Sequence, residues 1–260
     1  MTVRERDLLE IAHRFPIVCF EKSFKIVGGQ ILDQRFLFGI SRQFIDEPTA
    51  LRVFDGLVMP ETLKDQMSPL ISKADLIHFG WEGENKVGLC KVYLEFSSIL
   101  SSAAAKNAEP EQSLLLHRAC KWDVNDANRQ LITNYRVFPN IGIDLIESRM
   151  NDSYRSDENS SIATLMSTLL RLVCERSSKP PLYLEMSEDG NKRSSWCIQI
   201  WNAKLHLDDV GRYLQFFARH NGASLERLLE IGRASNNGQI SNISGGIDRH
   251  ERPYLTVYYV

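Results

Sequence analysis

Gly88-Leu-Cys-Lys-Val-Tyr-Leu-Glu-Phe96 is the stretch whose reading decides the fold. Its alternation predicts a strand with two unlike faces. Val92, Leu94 and Phe96 point one way; Lys91, Tyr93 and Glu95 point the other. A cation, a phenol and a carboxylate between strong β-formers fit two readings. One is the solvated face of an exposed strand. The other is a barrel interior in which Lys91 and Tyr93 hold an anion and Glu95 stands farther along the same wall.

Outward from this strand, the chain alternates hairpins with helices. Upstream, residues 3–14 carry a short apolar helical stripe that ends before Pro16. Val18–Ile26 and Ile31–Ile40 form a hairpin about Gly28-Gly29. Glu47-Pro48 opens a helical region that Pro60 and Pro69 are expected to break into pieces. Asp75–Trp81 is the strand before the Lys91 strand, joined to it by a turn at Gly83–Lys86. Downstream, 97–111 connects onward. Ser113–Trp122 and Arg129–Phe138 make a third hairpin, and 148–160 is so polar that a mobile loop is expected. Ile162–Arg176 is an amphipathic helix. Leu182–Met186 and Ser195–Trp201 make a fourth hairpin across residues 188–191. Leu207–Arg233 is helical with a break near Asn221-Gly222, and Gln239–Gly246 with Tyr254–Tyr259 closes the series.

About ten strands in five hairpins follow from this spacing. Hairpin partners are antiparallel neighbours. Ten such strands leave two costly edges unless the sheet closes. Closure predicts a ten-stranded antiparallel α/β barrel with helices outside, one domain over residues 1–260, and a lumen that receives residues such as Lys91 and Tyr93.

Composition narrows the class. A net charge of −2 provides no field to attract nucleic acid. No apolar run approaches membrane-spanning length. Five scattered cysteines without a CxxC pair predict free thiols in a reducing cytoplasm. The six histidines show no metal-ligand spacing, so no metal site is expected from them. A P-loop, a G-x-S-x-G elbow and a dinucleotide fingerprint are absent. Asp208-Asp209-Val-Gly-Arg lacks the third acid of the DDxxD cluster of α-helical isoprenoid synthases.

Three groups of residues carry a family resemblance: Phe20-Glu-Lys-Ser-Phe-Lys-Ile-Val with Arg35-Phe-Leu-Phe, then Lys91-Val-Tyr93, then Cys197-Ile-Gln-Ile-Trp201 with Tyr254-Leu-Thr-Val-Tyr-Tyr259. Their order on successive hairpins resembles the ABBA-type aromatic prenyltransferases, especially the short cyanobactin-pathway enzymes that act on peptides. The resemblance covers most of the chain and implies transfer of an isoprenoid from its diphosphate inside the barrel.

Allylic C–O cleavage places negative charge on diphosphate and positive charge on the allyl group. Under the resemblance, Arg35 and Lys91 are the leading diphosphate ligands, with Lys25 as a further cation. Tyr93, Tyr258 and Gln199 donate hydrogen bonds to phosphate oxygen. The rings of Tyr183, Trp201, Tyr93 and Tyr258 shield the allyl cation. The 129–138 strand departs from the family by lacking a Lys-x-Tyr. It offers Thr133 and Tyr135 on one face and Asn134 and Arg136 on the other, so Tyr135 and Arg136 both stand as candidates.

Glu21 matches the family's first-strand glutamate, which orients the acceptor and takes its proton. Glu95, Glu185 and His78 are expected to join it around the acceptor. Several acids favour a cationic or N–H acceptor: arginine first, then tryptophan or histidine, in a ribosomal, cyclic peptide. The expected co-substrate is dimethylallyl or geranyl diphosphate, with Leu182–Glu185 setting donor length and Mg²⁺ allowed as an aid. A monomer or weak homo-oligomer is expected. The rival readings are an ABBA enzyme for a small indole or phenol and a non-catalytic barrel that binds lipid or peptide.

Overall fold

The computed structural model describes residues 3–84, 87–154, 159–188 and 191–260. Its strands are β1 Ile17–Val27, β2 Gln30–Ser41, β3 Leu76–Glu84, β4 Val87–Glu95, β5 Leu114–Asp123, β6 Asp126–Val137, β7 Leu182–Glu188, β8 Asn191–Gln199, β9 Ile240–Ile247 and β10 Pro253–Tyr259. The helices are α1 Val3–Arg14, α2 Glu47–Gly56, α3 Glu61–Ile71, α4 Ala103–Lys106, α5 Ile143–Asp152, α6 Ser160–Arg176, α7 Leu207–His220 and α8 Leu225–Ala234.

The ten strands form a closed antiparallel barrel in sequence order, sealed where β1 pairs with β10 from Lys22↔Tyr259 to Val27↔Tyr254. Closure removes both sheet edges. It also gives every strand one face toward the helices and one toward the lumen.

The outward face is apolar and packs beneath two groups of helices. Phe38, Ile40, Ile77, Phe79, Val92, Leu94 and Trp122 lie under α1, α2 and α3. Phe24, Ile26, Trp196, Ile198, Ile243, Leu255 and Val257 lie under α5 to α8. Because directly paired residues share a face, the alternate positions enter the lumen. Thus the Val92 side of β4 belongs to the core, and Lys91, Tyr93 and Glu95 point inward. A third, small cluster joins Val137 and Leu184, on the lumen face of β6 and β7, to Leu116 and to Ile99 and Leu100 of the 97–101 turn.

Several local expectations differ from the structure. Pro69 does not break α3; it sits in the last turn, where Leu63, Met67 and Ile71 are buried and hold the helix in place. Residues 148–152 are helical rather than loop. They belong to α5, whose Ile146 and Met150 are buried one turn apart, while residues 147–149, 151 and 152 are polar. Residues 155–158 of that expected loop lie outside the described residues. So do Asn85 and Lys86 of the turn before the Lys91 strand, and Asp189 and Gly190 of the fourth hairpin. Trp201 is not in a strand: β8 ends at Gln199 and a short 3₁₀ turn follows.

Candidate active site in the barrel lumen

The lumen holds a cavity of about 340 Å³ whose described wall is formed by residues of nine strands, β1 to β7, β9 and β10. The chemistry of the lumen, of which this cavity takes in the cationic and phenolic parts, changes along the barrel axis. One end is cationic, the middle is phenolic, and beyond it lies a cluster of carboxylates and imidazoles.

At the cationic end, seven lysine or arginine side chains face three carboxylates. The centre is Glu82, 3% exposed, on β3. Its Oε1 lies 2.5 Å from Arg35 Nη2 of β2, its Oε2 lies 2.9 Å from Lys121 Nζ of β5, and it also pairs with Lys91 Nζ of β4. Arg35 Nε donates to Ser23 Oγ at 3.2 Å. Lys25 Nζ stands 4.4 Å over the Tyr254 ring. Burial alone would raise the Glu82 pKa, yet the Arg35, Lys121 and Lys91 charges hold it well below the carboxylate range. Burial lowers Lys91 to about 7, helped by Arg35 and Lys121 and opposed by Glu82. Three cations thus share one buried anion, and the excess positive charge suits a polyanion.

In the middle stand Tyr93, Tyr135 and Tyr258. The Tyr93 and Tyr135 hydroxyls are 3.4 Å apart. Burial drives the Tyr93 and Tyr258 pKa values well above 10, so both remain hydroxyl donors at neutral pH.

Beyond the tyrosines, Glu21 on β1 accepts from Ser241 Oγ at 2.8 Å and from Asn242 Nδ2 at 3.4 Å. Burial raises its pKa despite those bonds. It lies on the register line Glu21–Leu37–Gly80–Lys91, so the first-strand acid and the cationic end occupy the same wall. Gly80 is needed there: a Cβ would stand 2.7 Å from the Leu37 side chain and 2.8 Å from the Phe36 carbonyl. Nearby, His78 Nε2 lies 2.7 Å from Glu95 Oε2, and His78 Nδ1 lies 3.8 Å from Cys19 Sγ. Burial opposes protonation of His78, but Cys19 and Glu95 together raise it to about 10. Glu95 is held at about 2 against burial by His78 and His117. His117 of β5 is lowered to about 4 by burial.

The structure therefore brings together Glu21, Lys25, Arg35, His78, Lys91, Tyr93, Glu95, Tyr135 and Tyr258 inside the barrel. Gln199 is on the lumen face as well, paired with Asn242, which pairs in turn with Tyr258. Four expected residues lie elsewhere, each for reasons of strand parity or strand length. Arg136 is on the outer face of β6, next to inward Tyr135, and reaches Ser113 in solvent. Tyr183 is buried among outer-core residues against Phe138. Glu185 is on the same outer face, paired with Arg149 of α5 at 2.9 Å. Trp201 is 43% exposed beyond the end of β8. Of the stretch Leu182–Glu185 expected to set donor length, Leu182 and Leu184 are on the inward face shared with cavity-lining Met186.

Sequence reasoning missed Glu82, Lys121 and His117. Lys121 and His117 share parity with Ala119 and Asp123 on β5, which alternation could have revealed. Glu82 lies past the expected end of its strand at Trp81, because β3 runs three residues farther, to Glu84.

No family model matches the sequence, and no curated protein matches it. Solved structures do match its fold. 5-Dimethylallyltryptophan synthase from Streptomyces coelicolor, in complex with DMASPP and Trp, aligns with a TM-score of 0.62 at 14% identity over 93% of this chain and 78% of that one. The apo prenyltransferase PriB gives 0.60 at 13% identity over 92% and 79%. NotF, in complex with brevianamide F and DMSPP, gives 0.56 at 14% identity over 93% and 79%. The class of architecture is therefore the ABBA, or PT-barrel, fold.

Proposed function

We propose that the protein is a prenyltransferase that moves a dimethylallyl or geranyl group from its diphosphate to a side chain of a ribosomal, cyclic peptide. The observation that carries this reading is the axial order of the lumen: shared cations, then phenols, then a hydrogen-bonded glutamate. That order follows the charges of the reaction. The allylic C–O bond breaks and its electron pair leaves with diphosphate, toward Arg35, Lys91, Lys121 and Lys25. Tyr93, Tyr135 and Tyr258 donate to phosphate oxygen, and their ring faces stabilise the allyl cation. The acceptor's lone pair or π-electrons form the new bond to the allyl carbon, and the displaced acceptor proton passes to Glu21. Burial raises the Glu21 pKa and so helps it hold that proton.

Glu21, Glu95 and His78 form the acceptor side. Two carboxylates favour a cationic or N–H acceptor, arginine first and then tryptophan or histidine. Glu185 no longer contributes to this selection, because it faces α5. A second reading, a small aromatic acceptor, is supported by the Trp and brevianamide F complexes of the structural neighbours. Mg²⁺ as an aid to diphosphate departure belongs to the proposal too. The buried carboxylates of the cationic end that would meet it are Glu82 and Glu188.

The test is mass spectrometry after incubation with both diphosphates, Mg²⁺, and a panel of cyclic peptides containing Arg, Trp, His or Tyr, alongside free tryptophan. One or two isoprene units on an arginine peptide, lost in Lys91→Ala, are expected. Transfer to free tryptophan alone would select the second reading. No transfer, with no pyrophosphate binding by calorimetry, would leave a ligand-binding barrel.

A further inference from the structure

His78, Glu95 and His117 come from three neighbouring strands, β3, β4 and β5. Glu95 pairs directly with His117, and His78 pairs with Tyr93, two residues before Glu95. Their ligand atoms lie within 4.8 Å of one another. Glu95 Oε2 is 2.7 Å from His78 Nε2 and 3.8 Å from His117 Nδ1. A four-coordinate zinc-class ion, with bonds of about 2.0–2.2 Å, separates its ligand atoms by roughly 3.3–3.5 Å. The two edges at Glu95 bracket that spacing, so small side-chain rotations close the triangle around one ion.

A second observation points the same way. His117 Nδ1 is buried and has no hydrogen-bond partner. An unmet buried polar atom costs about 1–3 kcal/mol, and this one lies on the side of Glu95. The surroundings hold the ligands in place. His117 packs edge-on against Tyr93 and Tyr135, and the second nitrogen of His78 faces Cys19 Sγ. Such outer contacts orient imidazole ligands at metal sites. Two imidazoles and one carboxylate suit a borderline divalent ion such as Zn²⁺ rather than oxygen-seeking Mg²⁺ or Ca²⁺.

We propose that His78, Glu95 and His117 form a binding site for a zinc-class divalent ion, with three protein ligands and an open fourth position. The ion occupies the carboxylate and imidazole that the proposed function assigns to the acceptor. Resting on that reading in this one respect, it displaces the His78 proton and opposes entry of a cationic acceptor by leaving net positive charge where the His78–Glu95 pair is neutral.

The experiment is calorimetric titration of Zn²⁺ into EDTA-stripped, re-dialysed protein, with Co²⁺ substitution read by visible absorption. One ion per chain and the intense bands of four-coordinate Co²⁺ are expected. Glu95→Gln and His117→Asn should each weaken Zn²⁺ at least 100-fold, with pyrophosphate binding retained as the check on folding. His117→Gln serves if His117→Asn does not fold. His13→Ala, on α1, should leave affinity unchanged. Absence of stoichiometric binding, or binding that survives both site variants, overturns the site. Zn²⁺ binding without prenyl transfer to any acceptor would overturn the proposed function and leave the metal site standing. Transfer whose acceptor KM does not rise with Zn²⁺ would overturn the competition.

Discussion

Glu82 Oε1 lies 2.5 Å from Arg35 Nη2, and the same carboxylate also engages Lys91 and Lys121. One buried side chain thus stands among the cations of the lumen. A diphosphate must share those three cations with it. Glu82 therefore holds the cationic end together and limits its affinity for anions.

Glu82→Gln should bind pyrophosphate more tightly, by about tenfold, or about 1.4 kcal/mol. The ligand-free variant should melt at a lower temperature, because it leaves cations without their buried partner. Pyrophosphate should then raise its Tm by more than it raises that of the unaltered protein. Equal pyrophosphate affinities would show that the carboxylate does not compete with the ligand.

Burial, Arg35 and Lys121 outweigh Glu82 and bring the Lys91 pKa down to about 7. A bound diphosphate stabilises the charged form and raises that pKa. Below pH 7 the lysine is charged with or without ligand, so its contribution to affinity is constant. Above pH 7 binding must take up a proton, and affinity falls by up to about tenfold per pH unit. Calorimetry at pH 8 in buffers of different ionisation enthalpy should register the uptake. Lys91→Arg, which stays charged, should register less.

Glu21→Gln keeps the shape of the side chain and removes the base. Transfer should fall by about 10²–10⁴, while pyrophosphate affinity stays unchanged because Ser241 and Asn242 still have an oxygen to donate to. Single-turnover kinetics beside calorimetry separates the two. A loss of pyrophosphate binding would place Glu21 on the donor side instead.

Leu184 and Met186 are two apolar inward residues of β7, with Leu182 packed in the same inward cluster as Leu184. Shortening either to alanine should move donor preference toward geranyl diphosphate, measured as the ratio of the two kcat/KM values. Tyr183→Ala should not shift that ratio, since its ring lies in the outer core.

Gly88→Ala tests the outer core. A Cβ at Gly88 would stand 1.6 Å from Trp81 Cη2, so the indole must leave its place. Overpacking of this kind costs about 1–3 kcal/mol, which for a chain of this size lowers Tm by roughly 2–4 °C per kcal/mol. Gly88→Ala combined with Trp81→Leu should recover part of the loss.

The barrel was legible because hairpins announce themselves through short-range signals. Gly28-Gly29, Asp123–Asp126 and the period-2 alternation of Lys91–Glu95 are each readable within a few residues. Which face is the lumen was legible only where polar and apolar sets separate cleanly, as on β4. On β7 both faces mix types: Tyr183 and Glu185 look like lumen residues, yet α5 supplies Arg149 as a partner outside. The His78–Glu95–His117 cluster has no linear pattern, because its members are 17 and 22 residues apart and meet only through strand register. Glu82 depended on one more residue of β3 than the local signals gave.

The seal between β1 and β10 joins Lys22 to Tyr259, residues separated by nearly the whole chain. During synthesis the first nine strands can pair with their neighbours as they emerge, yet β1 remains an open edge until β10 arrives. Contacts of such sequence separation form slowly and expose strand edges in the interval. The growing protein is thus a curling sheet with a sticky margin, and the enclosed chamber exists only once its last strand docks. Deleting β10 should therefore abolish the chamber and favour aggregation of the ribosome-released chain, rather than leave a slightly wider pocket.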